Sequence, residues 1–368
     1  VNQALLKNTP VRFAATATIG DDHYDKPWLD SEGINYANAA GSSTGSVIEY
    51  MLTALLELHA RGQLNLPASH LGIIGAGRIG SALGDICEQL GIPVIRNDPP
   101  RARREGELGF HSLDELLLHA DILTLHTPLH RTGEDSTLHL LNAERLQRFR
   151  GRGIINAGRG ACLDNTALLE WLNGDAERFA ILDCWENEPG VSPALLAHPQ
   201  VIIATPHIAG HSLDGKAANT LYARRALCRW LGLPEAWEMQ TLLPAPNHPM
   251  SIPCTVDAWQ NLHVAATSMY DICADDAALR CAACDSPEDI AVNFSALRRH
   301  YPMRRSWEIT PLHFIRPDPL TPRLARAMGI LVVYDSAMDT TLIDNNNLVW
   351  MDLEMTGLNP ESDTILEI

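Results

Sequence analysis

The chain has 368 residues and a mass of 40.4 kDa, enough for two to three domains at ~150 residues each. With 46% hydrophobic and 20% charged residues it can bury a core, which excludes a mainly disordered protein. Lys and Arg total 28 against 45 Asp and Glu, a net charge of −17, which argues against nucleic acid or an anionic membrane as the main partner.

In chain order, residues 44–61 carry Val47, Ile48, Met51, Leu52, Leu55 and Leu58, the apolar stripe of a long helix. Residues 70–75 form a short apolar run, as a buried parallel strand does. A glycine turn follows, then Ile79, Ala82, Leu83, Ile86 and Leu90 at helical spacing. Further strands are expected at 92–96, 121–126, 153–156, 180–183 and 201–205, with helices near 112–119, 142–148 and 165–172. That alternation predicts an α/β protein with a Rossmann-like doubly wound parallel sheet from about 68 to 206. A second long helix is expected over 213–231, and the two long helices suit hinges to another domain. After a Pro-rich linker at 244–253, a separate mixed unit is expected over about 254–336. It has helices at 258–272, 287–300 and 321–328 and strands at 309–316 and 330–334.

Both ends look unlike those of a complete protein. The chain opens at Val1, with no basic-then-apolar leader, and no apolar run approaches ~18 residues. From Met338 onward there are seven acids and no Lys or Arg. This composition break suggests a second reading frame joined to the first. The eight cysteines are too sparse for a disulfide scaffold and suit reduced thiols in a cytoplasmic setting. Cys281 and Cys284 have C-x-x-C spacing without companions, so an incidental pair is expected and no metal site.

Gly75-Ala-Gly77-Arg78-Ile79-Gly80 is G-x-G-x-x-G between a strand and a helix, with Asp98 eighteen residues beyond Gly80. Such glycines let backbone approach a pyrophosphate at a helix N-terminus. A carboxylate at Asp98 suits the two hydroxyls of a ribose and disfavours a 2′-phosphate, so NAD is expected over NADP. Arg101, Arg103 and Arg104 are the competing signal, read here as a solvated basic face. Arg159, Glu188 and His207 each follow a successive strand, on the edge where open α/β sheets bind ligands. Imidazole suits proton exchange near neutral pH, an adjacent carboxylate raises its pKa, and a guanidinium holds a substrate carboxylate. Taken singly, each has a plainer reading as a loop His, a surface Glu or a capping Arg.

Together G-x-G-x-x-G, Asn156-Ala-Gly-Arg159-Gly, Asp183-Cys-Trp-Glu-Asn-Glu188-Pro and His207-Ile-Ala-Gly210 resemble the D-isomer-specific 2-hydroxyacid dehydrogenases. The resemblance covers about residues 1–336. It implies NAD-dependent oxidation of a small phosphorylated D-2-hydroxy acid, with His207 exchanging the proton, Glu188 tuning it and Arg159 orienting the substrate. It implies cofactor contacts from Gly75, Gly77, Arg78, Ile79, Gly80, Asp98, Thr127, Gly158, Asp183 and Gly210, and substrate contacts from Thr18 and His211.

The implied domains are a substrate-domain remnant with its linking helix at 1–67, the NAD-binding domain at 68–206, a return helix at 207–243 and a homodimerisation domain at 254–336. Where this chain has His211 the family usually has Tyr, and where it reads Ala40-Gly-Ser-Ser43 the family has Pro-Gly-Cys-Asn. About fifty residues expected at the start, with a substrate-binding Ser, are absent from the chain. The stretch 338–368 resembles the opening of a DEDD-type 3′→5′ exonuclease through Asp352 and Glu354. The chain ends before the further acids such chemistry needs, so an inert fragment without nuclease activity is expected. A dehydrogenase of another D-2-hydroxy acid, such as phosphoglycerate or glycerate, and a non-catalytic NAD-binding module are the alternatives.

Overall fold

The computed structural model describes residues 1–237, 242–245, 249–281, 286–334, 354–355 and 365–367. Contacts divide the chain into a unit of residues 1–332 and a unit of residues 333–368.

Six parallel strands form the centre of the larger unit: β3 (Leu71–Ile74), β4 (Val94–Asn97), β5 (Ile122–Leu125), β6 (Gly153–Asn156), β7 (Phe179–Leu182) and β8 (Val201–Ala204). Their order is β4-β3-β5-β6-β7-β8. Four of the six are buried at every position, which explains apolar runs without alternation. The chain leaves β3 in one direction to make β4 and returns past it to make β5, so a crevice opens between the loops after these strands. The crossover helices are α2 (Arg78–Gln89), α4 (Leu113–His119), α5 (Ala143–Arg148) and α6 (Asn165–Asn173). A short helix not expected from the sequence, α3 (Pro99–Glu105), starts at the Pro-Pro pair, where the missing N–H groups of proline cost nothing.

The expected sheet boundaries hold to within about two residues. Ahead of the sheet lie a two-stranded parallel pair, β1 (Phe13–Ala15) with β2 (Asn35–Ala37), and the long helix α1 (Thr44–Ala60). Every residue of α1 from Ser46 to Leu58 is buried. The apolar stripe is thus covered on every side. The other long helix, α7 (Leu213–Leu231), ends at Gly232 in the left-handed conformation.

The C-terminal residues up to 332 do not stand apart as the sequence suggests. Helix α8 (Ala258–Met269) packs on α1, and one apolar core runs from Val47 through the sheet to Ile330. The expected linker contains strand β9 (Met250–Pro253), which pairs in parallel with β10 (Leu312–Ile315). The helix expected over 258–272 stops at Met269, because the Asp271 side chain accepts from Ala274 N–H and starts α9 (Ile272–Cys281). Helices α10 (Pro287–Arg299) and α11 (Leu320–Ala327) follow their patterns. The strand expected at 330–334 is reduced to a single bridge between Val332 and Leu312. In the smaller unit, Glu354–Met355 and Ile365–Glu367 pair antiparallel. Cys284, Asp352 and the side chains of Cys281 and Glu354 lie outside the described residues. Among those described, no helix is long and apolar enough to cross a membrane and no side-chain group forms a metal site.

Candidate active site

The crevice beyond β3, β4 and β5 has a volume of about 920 Å³ and is lined by Gly75, Gly77, Asp98, Thr127 and Arg103 among others. Backbone geometry requires the glycines. Gly75 has φ +90°, and a Cβ on Gly80 would lie 2.1 Å from the Gly75 carbonyl oxygen. Gly77 caps α2 without a side-chain bond, so the first-turn N–H groups of Arg78, Ile79 and Gly80 have no capping side chain and suit a phosphate. The Arg78 side chain turns away and donates to the Ala40 carbonyl, so its contribution is its backbone. One oxygen of Asp98 accepts from Arg101 N–H at 3.0 Å and caps α3. The nearby arginines are all ion-paired, Arg101 and Arg104 with Glu105 and Arg103 with Glu134 and Asp135. Little of their charge is left for a 2′-phosphate. These residues fit NAD.

Arg159, Glu188 and His207, the residues expected to do the chemistry, sit further along the same edge. Arg159 follows β6 on a loop pinned by the buried Asn156, whose side chain donates to Arg159 O and accepts from Gly158 N–H. A Cβ on Gly158 would lie 2.8 Å from the Leu125 carbonyl oxygen, and one on Gly160 would lie 1.8 Å from that of Trp185. Only glycine lets these loops meet. Glu188 and His207 are joined, Nδ1 to Oε1, at 2.5 Å. The second oxygen of Glu188 accepts from Trp185 N–H at 3.2 Å. The other glutamate of this segment, Glu186, is spent on His139 and Asn165 N–H.

Burial opposes charge on the imidazole of His207. The Cys184 sulfur and the Glu188 carboxylate favour it, and the net pKa lies well above 6.5. Burial raises the Cys184 thiol too, so it is neutral near pH 7 and Glu188 is the charge that counts. Burial also opposes ionisation of Glu188, but the hydrogen bond and charge of His207, with Trp185 N–H and the Arg298 charge, together outweigh it and lower its pKa. Arg159 donates through Nε to Asp22 at 3.0 Å and through Nη1 to Gly158 O at 2.9 Å. Thr18 bonds Gly20 O at 2.7 Å, and a Cβ on Gly20 would lie 1.9 Å from the Arg159 guanidinium. Thr18 is thus on the loop against which Arg159 packs.

Asp183 has partners that its place in the sequence does not announce. It is 1% exposed and accepts from Thr205 Oγ1 (2.8 Å), Ile208 N–H (2.7 Å) and Ala209 N–H (3.1 Å). Tyr50, on α1, bonds the same Thr205 hydroxyl at 2.8 Å. Asp183 therefore holds the His207 loop in place, where φ of His207 is +53°. Gly210 packs beside Ser43, and Thr127 bonds Cys162 Sγ. His211 stands edge-on to Tyr301 at 5.7 Å between ring centres. Asp22, Asn156, Thr205 and Tyr50 were not singled out from the sequence. Asn156 and Thr205 stand at the strand ends that lead to Arg159 and His207, while Tyr50 is hidden in the stripe of a core helix.

The family profile described as "D-isomer specific 2-hydroxyacid dehydrogenase, NAD binding domain" matches residues 56–209. The erythronate-4-phosphate dehydrogenase of Proteus mirabilis (strain HI4320) is 40% identical over 331 residues, which is 89% of this chain and 86% of that protein. The chain belongs to the D-isomer specific 2-hydroxyacid dehydrogenase family. The erythronate-4-phosphate dehydrogenase of Pseudomonas aeruginosa (strain UCBPP-PA14) is likewise 40% identical, over 90% of this chain and 87% of its own length. Among solved structures, a D-lactate dehydrogenase from Treponema pallidum matches with a TM-score of 0.50 and 29% identity, covering 61% of this chain and 77% of its own. A D-lactate dehydrogenase from Aquifex aeolicus, complexed with NAD and lactic acid, shares the fold at TM-score 0.51 and 24% identity, covering 63% of this chain and 80% of its own.

Proposed function

We propose that this chain oxidises 4-phospho-D-erythronate at C2, giving 2-oxo-3-hydroxy-4-phosphobutanoate, as a step in pyridoxine biosynthesis. The observation that carries the reading is the His207–Glu188 pair, set on the sheet edge that also bears the dinucleotide crevice. The names of the relatives supply the substrate.

NAD, when bound, accepts the hydride that leaves C2. The chain's own residues supply the rest. With Nδ1 held by Glu188, Nε2 of neutral His207 takes the hydroxyl proton, and the resulting imidazolium stays beside a carboxylate. Arg159 binds the substrate carboxylate as a fork and draws electron density from the developing carbonyl. Asp22 holds that guanidinium in place. Asp98 receives the ribose hydroxyls, and Thr127, Gly158 and Gly210 give close backbone approach. Asp183 acts by positioning the His207 loop. Residues 254–336 would join two copies, a role that exposed Val292 and Met303 suit.

NADH formation from 4-phospho-D-erythronate, compared with phosphoglycerate, glycerate and D-lactate, tests this. The expected result is a preference of at least tenfold for the four-carbon phosphorylated acid. A preference for glycerate would replace the substrate, and no turnover with any acid would favour a binding module.

A further inference from the structure

Beside His207 the chain assembles a cluster of cationic side chains that the proton-transfer account leaves unused. Three segments form it. The segment after β8 supplies His211 and, in the first turn of α7, Lys216. The end of α10 supplies Arg298, and the loop beyond it supplies Tyr301 and Arg304. Lys216 lies 5.7 Å from the centre of the Tyr301 ring, and His211 stands edge-on to that ring.

Arg304 is 7% exposed and stacks 4.0 Å from the centre of the Tyr270 ring. Its Nη2 donates weakly to Ala209 O, at 3.4 Å, while Nε and Nη1 are buried with no hydrogen-bond partner. His211 Nδ1 is buried and unpartnered too. A buried guanidinium with two idle donors is expensive unless a ligand completes it. Among the described residues, neither Lys216 nor Arg298 has a carboxylate within ion-pair distance.

Three acids face the cluster. Asp275 accepts from Tyr270 and Tyr301 hydroxyls at 3.0 and 2.8 Å, Glu188 is held by His207, and Glu49 accepts from Trp307 N–H through one oxygen while its other oxygen, buried without a hydrogen-bond partner, shares the field of Arg304. The cluster adjoins the chemistry. Arg304 reaches the carbonyl of Ala209, two residues from His207, and Arg298 is near enough to Glu188 to help lower its pKa.

We propose that Lys216, Arg298 and Arg304, with His211 beside them, form the subsite that receives the phosphate group of the substrate. The inference rests on the reading of a phosphorylated acid, and it assigns phosphate recognition to the C-terminal segments rather than to the chain's start. The electrostatics agree. Burial, then Lys216, Arg298, His207 and Arg304, push the His211 pKa down to about 3. Burial and Arg298 lower that of Lys216. A dianion relieves this crowding, and a neutral His211 remains able to donate one hydrogen bond to it.

The test is calorimetric titration of the full chain with inorganic phosphate, for wild type, Lys216→Met, Arg298→Met and Arg298→Lys. All three substitutions are at half-buried positions, and thermal melts check that each variant folds. Saturable binding, at least tenfold weaker in both Met variants and partly kept in Arg298→Lys, is expected. No saturable binding by wild type, or binding the Met variants leave unchanged, overturns the subsite.

A second arm compares kcat/KM for 4-phospho-D-erythronate with that for D-erythronate. The ratio should fall at least tenfold in the Met variants. If the phosphorylated acid is oxidised but the ratio does not move, the subsite fails while the proposed function stands. If phosphate binds as expected but 4-phospho-D-erythronate is not oxidised, the subsite stands and the substrate is another phosphorylated acid.

Discussion

The two halves of the ligand-binding edge are held in shape by different means. Around Gly75, Gly77 and Gly80 the shape is set by backbone alone, since missing Cβ atoms let a strand, a turn and a helix start come together. Around His207 it is set by a side-chain chain from Tyr50 through Thr205 to Asp183, and by the Glu188 bond. Backbone-made sites are local, so a short spacing reveals them. Side-chain-made sites draw on residues more than a hundred positions apart, so only part of them shows in the sequence.

Substitutions that break one half and spare the other sharpen this contrast. His207→Ala should lower kcat by ~10²–10⁴-fold, while NADH affinity, read by fluorescence titration, stays within about twofold. An equal loss of both would mean that the halves are not separable. Gly80→Ala does the reverse. The new methyl meets the Gly75 carbonyl at 2.1 Å, and NADH affinity should fall by about tenfold or more, equivalent to ~1.4 kcal/mol. Asp98→Asn keeps the helix cap but removes the charge. The ratio of kcat/KM with NAD to that with NADP should drop by roughly tenfold, as expected from losing one charge-assisted bond; an unchanged ratio would take Asp98 out of cofactor choice.

The smallest effect concerns stability. Burial is the main cause raising Glu49 to about 7 in the folded chain, against the ordinary 4.5. A raised carboxylate pKa contributes stability fully below the unfolded value, and that contribution is lost as pH rises through about 7. Glu49→Gln should therefore flatten the fall in Tm between pH 5 and 8 by about 2 °C. A fall as steep as that of wild type would remove Glu49 from the account.

The sequence made the sheet legible because its strands are buried on both faces and read as uniform apolar runs. The placement of Arg159, Glu188 and His207 along one sheet edge was legible because each follows such a run. Three things were not. Asp183 is singled out by resemblance, but the bonds from its oxygens to the backbone of residues 208 and 209 are not readable, because that partnership depends on how two strand ends meet. Strand β9 lies in a Pro-rich stretch, where local composition argues for a linker and pairing with β10 overrides it. The continuity of the C-terminal helices with the core depends on α1 being buried all round, and periodicity does not distinguish that from one wide stripe.

The pH dependence of kcat/KM for 4-phospho-D-erythronate oxidation, in wild type and Glu188→Gln, tests the central claim most directly. Oxidation needs neutral His207, whose pKa is raised, so wild-type activity should rise with pH through a step well above 6.5. Removing the carboxylate charge should move that step down by about 1–3 units. A step that stays where it was, or a wild-type profile without one, would contradict proton transfer by the His207–Glu188 pair.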